Sequence, residues 1–307
     1  MSYELRRDQS LGHELRRICR KQVEVALAVA TGEKETDDTP VHETRRHLKK
    51  ARAALRLVKK EIGPALFKRQ DHCLRDVARL ISEVRDAEVR LQTVRQLQDT
   101  TRRQNRRNYH RVEQTLVLEL ENFVAGFAEW QTQAVPILKK VAEEIDEWSL
   151  DNFDCRQLRW AVQKSYKRAR KALAAAKASG AAKDFHSFRT TAKQLLYQLN
   201  ILRPLNPVVL KNLSEEVHTV GNLLGRAHDL SFLGDRIDRD GEDGKFQQEG
   251  RELLAVIEEN GSELQRAASD LADHFFAERP RDFGCRIAAW LEEWDESGSR
   301  EPARSNK

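Results

Sequence analysis

A histidine, an arginine and a lysine spaced H-x-x-R-x-x-x-K open the most basic stretch of the chain, Val41 to Glu61. From Val41 to Lys60 this stretch carries eight Lys or Arg and one acid, Glu43. On an α-helix, at about 100° per residue, His42, Arg45, Lys49, Arg52 and Arg56 fall within an arc of about 80° and span about 20 Å. Leu48, Ala51, Leu55, Val58 and Ile62 gather on a different side, where they suit a core. Guanidinium groups grip phosphate oxygens through forked hydrogen bonds, and ammonium groups add point charges. A periodic stripe of nearly one sign repels itself, so the chemistry it suits is capture of a polyanion.

The same spacing returns later. VHETRRHLKKARAALRL aligns without gaps to FHSFRTTAKQLLYQLNI, 144 residues downstream. His42 pairs with His186, Arg45 with Arg189 and Lys49 with Lys193. Leu196 and Asn200 stand where Arg52 and Arg56 stand in the first copy, so the first half supplies more charge. The match continues: ARLISEVRDAEVRLQTV resembles GNLLGRAHDLSFLGDRI at almost the same offset, and Arg85-Asp86 meets His228-Asp229. On an ungapped alignment Arg20 matches Lys164. Arg20, Lys21, Lys164 and Arg168 are therefore flanking candidates, and Arg46 lies on the first basic helix itself.

These stripes need helices to hold them, and the composition supplies them. The chain has 307 residues, 34% of them charged, with 14 Gly and 7 Pro, the profile of an all-α protein. Ser10–Ala30 reads as the first helix. Thr39 caps a second that begins at Pro40 and stops at Gly63-Pro64. A third spans Phe67–Gln98, with a bend at Arg85-Asp86. The five arginines of 102–111 read as a linker. A long helix over Tyr109–Trp148 should kink before Pro136. The second half predicts helices over Phe153–Lys177, Asp184–Leu202, Val208–Leu224 and Asp229–Ile237, the last two separated at Gly225. DRDGEDGK should form a turn. Phe246–Ala277 and Ile287–Trp294 complete the set. The expected architecture is two similar four-helix bundle units, 1–150 and 151–296, related by a pseudo-twofold axis around a basic central cleft. A disordered tail follows at 297–307.

Net charge is only +5, and residues 242–307 hold sixteen acids against nine bases. The positive charge is thus local, which points to a localised anionic ligand rather than a uniformly basic surface. Four widely spaced cysteines, with no CxxC, read as reduced thiols of a cytoplasmic protein. The N-terminus lacks an apolar signal region, and no window reaches 18 apolar residues, so no membrane span is expected.

The paired H-x-x-R-x-x-x-K helices, each followed by LISEVRDA or LLGRAHDL, resemble the CHAD family, the conserved-histidine α-helical domain. The resemblance covers about residues 10–295 and leaves no space for the triphosphate tunnel domain that adjoins many family members. It implies a stand-alone, non-catalytic binder of inorganic polyphosphate, with two four-helix bundles around a basic cavity. Carried over, His42, Arg45, Lys49, Arg52, Arg56, His186, Arg189 and Lys193 would line that cavity. Polyphosphate granules then become an expected location, and a protein partner there an expected contact.

Three other readings compete. Nucleic acid would suit the same stripe as a secondary ligand, but the first ruler has no interleaved aromatics and no known reader motif accompanies it. A metal phosphohydrolase would use pairs such as His228-Asp229, Asp71-His72 or Glu215-x-x-His218. Their basic surroundings disfavour a divalent cation, and no metal or cofactor is expected. A scaffold would use the acidic helix 246–277, which reads more simply as a solvated face.

Overall fold

The structure, a computed structural model, describes residues 3–36, 39–105, 109–125, 129–242 and 247–299. Every regular element among them is helical. In chain order they are α1 (Leu11–Ala30), α2 (Pro40–Leu57), α3 (Pro64–Leu80), α4 (Ser82–Asn105), α5 (His110–Ala125) and α6 (Trp130–Asp146). The second half holds α7 (Cys155–Ser179), α8 (Ala182–Leu202), α9 (Pro207–Glu242), α10 (Gln247–Phe275) and α11 (Pro280–Ser299), with a 3-10 turn at Arg203–Leu205.

Local chemistry sets most boundaries. Ser10 caps α1 by accepting from the His13 N–H, and Thr39 caps α2 by accepting from the His42 N–H, with Pro40 in the first turn. Asp154 and Gln157 form a reciprocal capping box at the start of α7. Gly180, at φ 64°, closes that helix in the left-handed conformation that side chains disfavour.

The structure differs from the sequence expectation at several joints. The bend expected at Arg85-Asp86 falls at Ile81, whose buried side chain separates α3 from α4. Arg85 and Asp86 are therefore helical residues in the first turns of α4. The basic run at 102–111 is not all linker, because α4 continues to Asn105 and α5 begins at His110; residues 106–108 lie outside the described set. Tyr109–Trp148 divides into α5 and α6, and Pro136 sits inside α6. Gly225 does not interrupt α9, which also continues through Asp238–Glu242, where a turn was expected. The last helix starts at Pro280 and extends to Ser299, so 297–299 are helical; the rest of the expected tail, 300–307, lies outside the described residues.

The neighbour relations recur along the chain. α1 packs on α2 as α7 packs on α8; α1 meets α6 as α7 meets α11; α4 meets α5 as α9 meets α10. α2 and α8, the two basic helices, pack against each other. One large core runs through both halves, from Leu15, Leu48, Leu74 and Leu138 to Leu158, Leu195, Leu224 and Leu291. A smaller core joins Leu91 and Val94 of α4, Val112 of α5, Leu233 of α9 and Leu253 of α10. Apolar burial of this kind is what holds charged helices side by side. No helix among the described residues is long and apolar enough to cross a membrane.

Candidate functional site

The two basic helices meet across the repeat. Gln198 of α8 donates to the Ala53 carbonyl of α2 at 3.1 Å, in a buried contact. This packing brings the paired cations together. The Lys49 residue keeps part of its surface in solvent, while its ammonium is crowded by protein and pushed down to about 7 by desolvation, then by Lys193, Arg45, Arg189 and Arg85. Lys193 is pushed down to about 8 by desolvation and by Arg189, against the opposing pull of Asp229. The low values mean that protonation of either lysine is resisted by its surroundings.

Each half adds an arginine with an acid near it. Arg45 donates to the Ala78 carbonyl at 2.9 Å, in the last turn of α3, and feels the charge of Asp86. Arg189 feels the charge of Asp229, and its Nε makes no hydrogen bond among the described residues although that atom is buried. Burial pushes both carboxyls up, and the same arginines oppose the rise. Asp86 thus acts on Arg45 and Asp229 on Arg189, each pair drawn from the aligned segments of the sequence.

Two glycines make room for this cluster. A Cβ on Gly225 would stand 3.5 Å from the Arg189 guanidinium, and one on Gly221 would stand 3.5 Å from the Lys193 stem. The long cationic side chains of α8 therefore lie directly over the backbone of α9. Gly225 thus sits inside a continuous helix beneath the Arg189 guanidinium, where a larger side chain than alanine would meet it.

His186 reaches His228, with Nδ1 atoms 3.4 Å apart and ring centroids at 4.4 Å. Desolvation, Arg189 and Lys49 hold His186 below its ordinary value. His228 is pushed down to about 4, by desolvation and then by His186, Arg189 and Lys49. Both are neutral near pH 7, and one ring can donate to the other. His42 stands in the first turn of α2, where its N–H bonds the Thr39 hydroxyl at 3.2 Å. Another histidine of the same helix, His47, is buried against Gln22 at 2.8 Å and serves packing.

Farther along α2 the charge is partly compensated. Asp71, only 4% exposed, accepts from Arg52 Nε at 2.9 Å, Arg56 Nη2 at 3.4 Å and Arg75 Nη2 at 2.7 Å. Desolvation would raise this carboxyl, but the hydrogen bond and charge of Arg52, with Arg56 and Arg75, bring it below the usual carboxylate range. Asp71 thus ties Arg52 and Arg56 of α2 to α3. Leu196, opposite Arg52 in the repeat, is buried in the core. Arg168 of α7 acts on Arg56 by charge, and Lys164 stacks over the Trp160 ring at 4.5 Å.

The remaining flanking candidates lie in other pairs. Arg20 bonds Asp146 at 2.6 Å and Glu24 at 3.0 Å, and Lys21 bonds Glu24 at 3.3 Å. Arg46 is exposed and bonds Glu43 at 2.7 Å. The charges that weigh most on Lys49 and Lys193 come from other residues. The sequence reading missed Arg85 and His228 as members of the cluster, although their match in the repeat was the signal that marks them. The pairs weighed as metal ligands are otherwise engaged: Asp71 by arginines, His228 by His186, and His218 by Asn222 at 3.0 Å. Among the described residues no group of three or more His, Cys, Asp or Glu is placed to hold a metal ion.

Comparison with known proteins places the fold and the family. A solved structure described as the CHAD domain from the plant Ricinus communis is similar in fold, with a TM-score of 0.62 at 18% identity, covering 95% of this chain and 95% of that one. No curated protein sequence matches the chain. The family model described as CHAD domain matches residues 17–238, which span both basic helices and the paired Arg85-Asp86 and His228-Asp229. The chain belongs to the CHAD family.

Proposed function

We propose that this protein binds inorganic polyphosphate, without catalysis, at the cluster where α2 meets α8. The observation that carries the reading is the convergence of Lys49, Lys193, Arg45, Arg189 and Arg85 from both halves of the chain, with two lysines whose protonation is resisted. Such a cluster is repulsive in the free protein, and a close-spaced line of phosphates removes the repulsion. Arg52, Arg56 and Arg168 extend the positive path along α2. Family membership supports the same ligand class.

In this reading the two halves are pseudo-twofold units around a central basic cavity, and the first contributes more charge. Arg189 Nε supplies a donor awaiting an acceptor. His186 and His228, neutral in the free protein, gain protons as phosphate approaches. Cytoplasmic residence and association with polyphosphate granules belong to the same proposal.

The test is a titration with long-chain polyphosphate beside single-stranded DNA of equal total charge, at two salt concentrations. The reading expects tighter binding of polyphosphate, a steep fall with salt, and loss of that preference in Arg45→Ala with Arg189→Ala. Equal or tighter binding of DNA would replace it with a general nucleic-acid surface.

A further inference from the structure

A second basic site lies beside the C-terminal end of α2, where α7 passes. Five cations, Arg56, Lys59, Lys60, Lys164 and Arg168, line a cavity of about 290 Å³. Among the described residues no acid lines it. Its other walls are of a different kind. Leu57, Pro64 and Ala161 are apolar, and Trp160 is 49% exposed. Lys164 Nζ lies 4.5 Å from the Trp160 ring centroid and Lys60 Nζ 5.8 Å. Ser165 and Gln194 add hydrogen-bonding atoms, with Gln194 Nε2 3.5 Å from Ser165 Oγ.

A bare phosphate chain uses the cations but has no use for an apolar floor or an open indole face. A planar base uses both, because base–aromatic stacking is favourable for any base. The lysines over the ring have flexible stems and can move from the indole to phosphate oxygens as a base takes their place. The cavity is at the small end for organic ligands, and it offers a single aromatic platform, whereas a strand needs a succession of them. We propose that this pocket binds a nucleoside polyphosphate, its base on Trp160 and its phosphates among Arg56, Lys164 and Arg168. This pocket shares Arg56 and Arg168 with the basic path along α2, but its base platform, Trp160, takes no part in the Lys49–Lys193 cluster.

The test is a titration of the full chain with ATP, read by tryptophan fluorescence and calorimetry, with tripolyphosphate and single-stranded DNA as comparators. Trp130, Trp148 and Trp290 are buried and Trp294 is half-buried under Arg7, so quenching that is lost in Trp160→Phe reports Trp160. ATP should quench the fluorescence and bind at least about tenfold more tightly than tripolyphosphate. Trp160→Ala should weaken ATP at least about tenfold, and Trp160→Phe should keep most of the affinity. Trp160→Ala should also retain the parent's polyphosphate affinity, so this outcome and the polyphosphate titration stand or fall separately. Equal quenching and affinity for tripolyphosphate would show a pocket that reads charge alone and overturn the proposal. So would ATP binding that Trp160→Ala leaves intact, or a preference for DNA over ATP at equal nucleotide concentration.

Discussion

After desolvation, Lys193 on α8 is the charge that weighs most against protonation of Lys49 on α2. The two residues sit at matching positions of the repeat, 144 apart in sequence. Their opposition is the price of bringing two basic helices together, and it has consequences that can be measured.

The first concerns pH. Lys49 is pushed down to about 7 and Lys193 to about 8, while an unfolded chain holds such lysines protonated to about 10.4. Between these limits the unfolded state binds more protons, so this pair makes stability rise with pH. Polyphosphate affinity runs the other way, because the ligand needs the charged lysines. Affinity should fall as pH rises from about 6.5 to 9. Calorimetry in buffers of different ionisation enthalpy should detect net proton uptake on binding at pH 7.5. Lys49→Met should weaken binding and raise thermal stability near pH 7, and an unchanged affinity would count against the cluster as the site.

The second concerns Gly225. A Cβ there meets the Arg189 guanidinium at 3.5 Å, an ordinary contact. Gly225→Ala should therefore be accommodated and should stabilise α9 by about 0.5–1 kcal/mol, the usual gain for alanine over glycine inside a helix. Gly225→Leu should displace Arg189 and weaken polyphosphate binding while the helix persists. Denaturant melts and titrations of the two variants separate the effects. Equal binding by Gly225→Leu would show that Arg189 does not need its place over α9.

The third concerns Asp71. Its folded carboxyl lies below the ordinary range, so it contributes stability above the unfolded pKa and loses it as pH falls through the folded one. Asp71→Asn should cost about 1–3 kcal/mol at neutral pH, less than a fully buried pair because its arginine partners are partly exposed. The difference from the parent should shrink below about pH 4. Urea unfolding across pH 2–7 measures it, and a constant difference would mean that the arginine clamp contributes nothing.

Part of the cluster was legible in the sequence, because spacing puts Arg45 and Lys49 on one face of α2 and Arg189 and Lys193 on one face of α8. Arg45, Lys49, Arg189 and Lys193 follow from a repeated motif on helices with an apolar opposite face. The limits are equally physical. Gly225 reads as a break because a lone glycine weakens an isolated helix, whereas the space it leaves for Arg189 exists only once α8 packs on α9. The joint between α3 and α4 fell at buried Ile81, not at the charged pair beyond it, since core packing rather than polarity sets where the chain turns. Arg52 and Arg56 look like free cations until Asp71, on another helix, is seen to bind both. Arg20 matches Lys164 by alignment, but its side chain meets Asp146 of α6, a contact that no spacing along one helix discloses.

The most direct test compares two pairs of substitutions of equal charge change for long-chain polyphosphate affinity at fixed salt and pH 7. Lys49→Ala with Lys193→Ala removes the centre of the cluster; Arg20→Ala with Lys21→Ala removes cations already paired with Asp146 and Glu24. The first pair should lose at least about a hundredfold in affinity and the second less than about threefold, given about 1.4 kcal/mol per tenfold. Equal losses, or an unchanged affinity in the first pair, would contradict this expectation and place the ligand elsewhere on the surface.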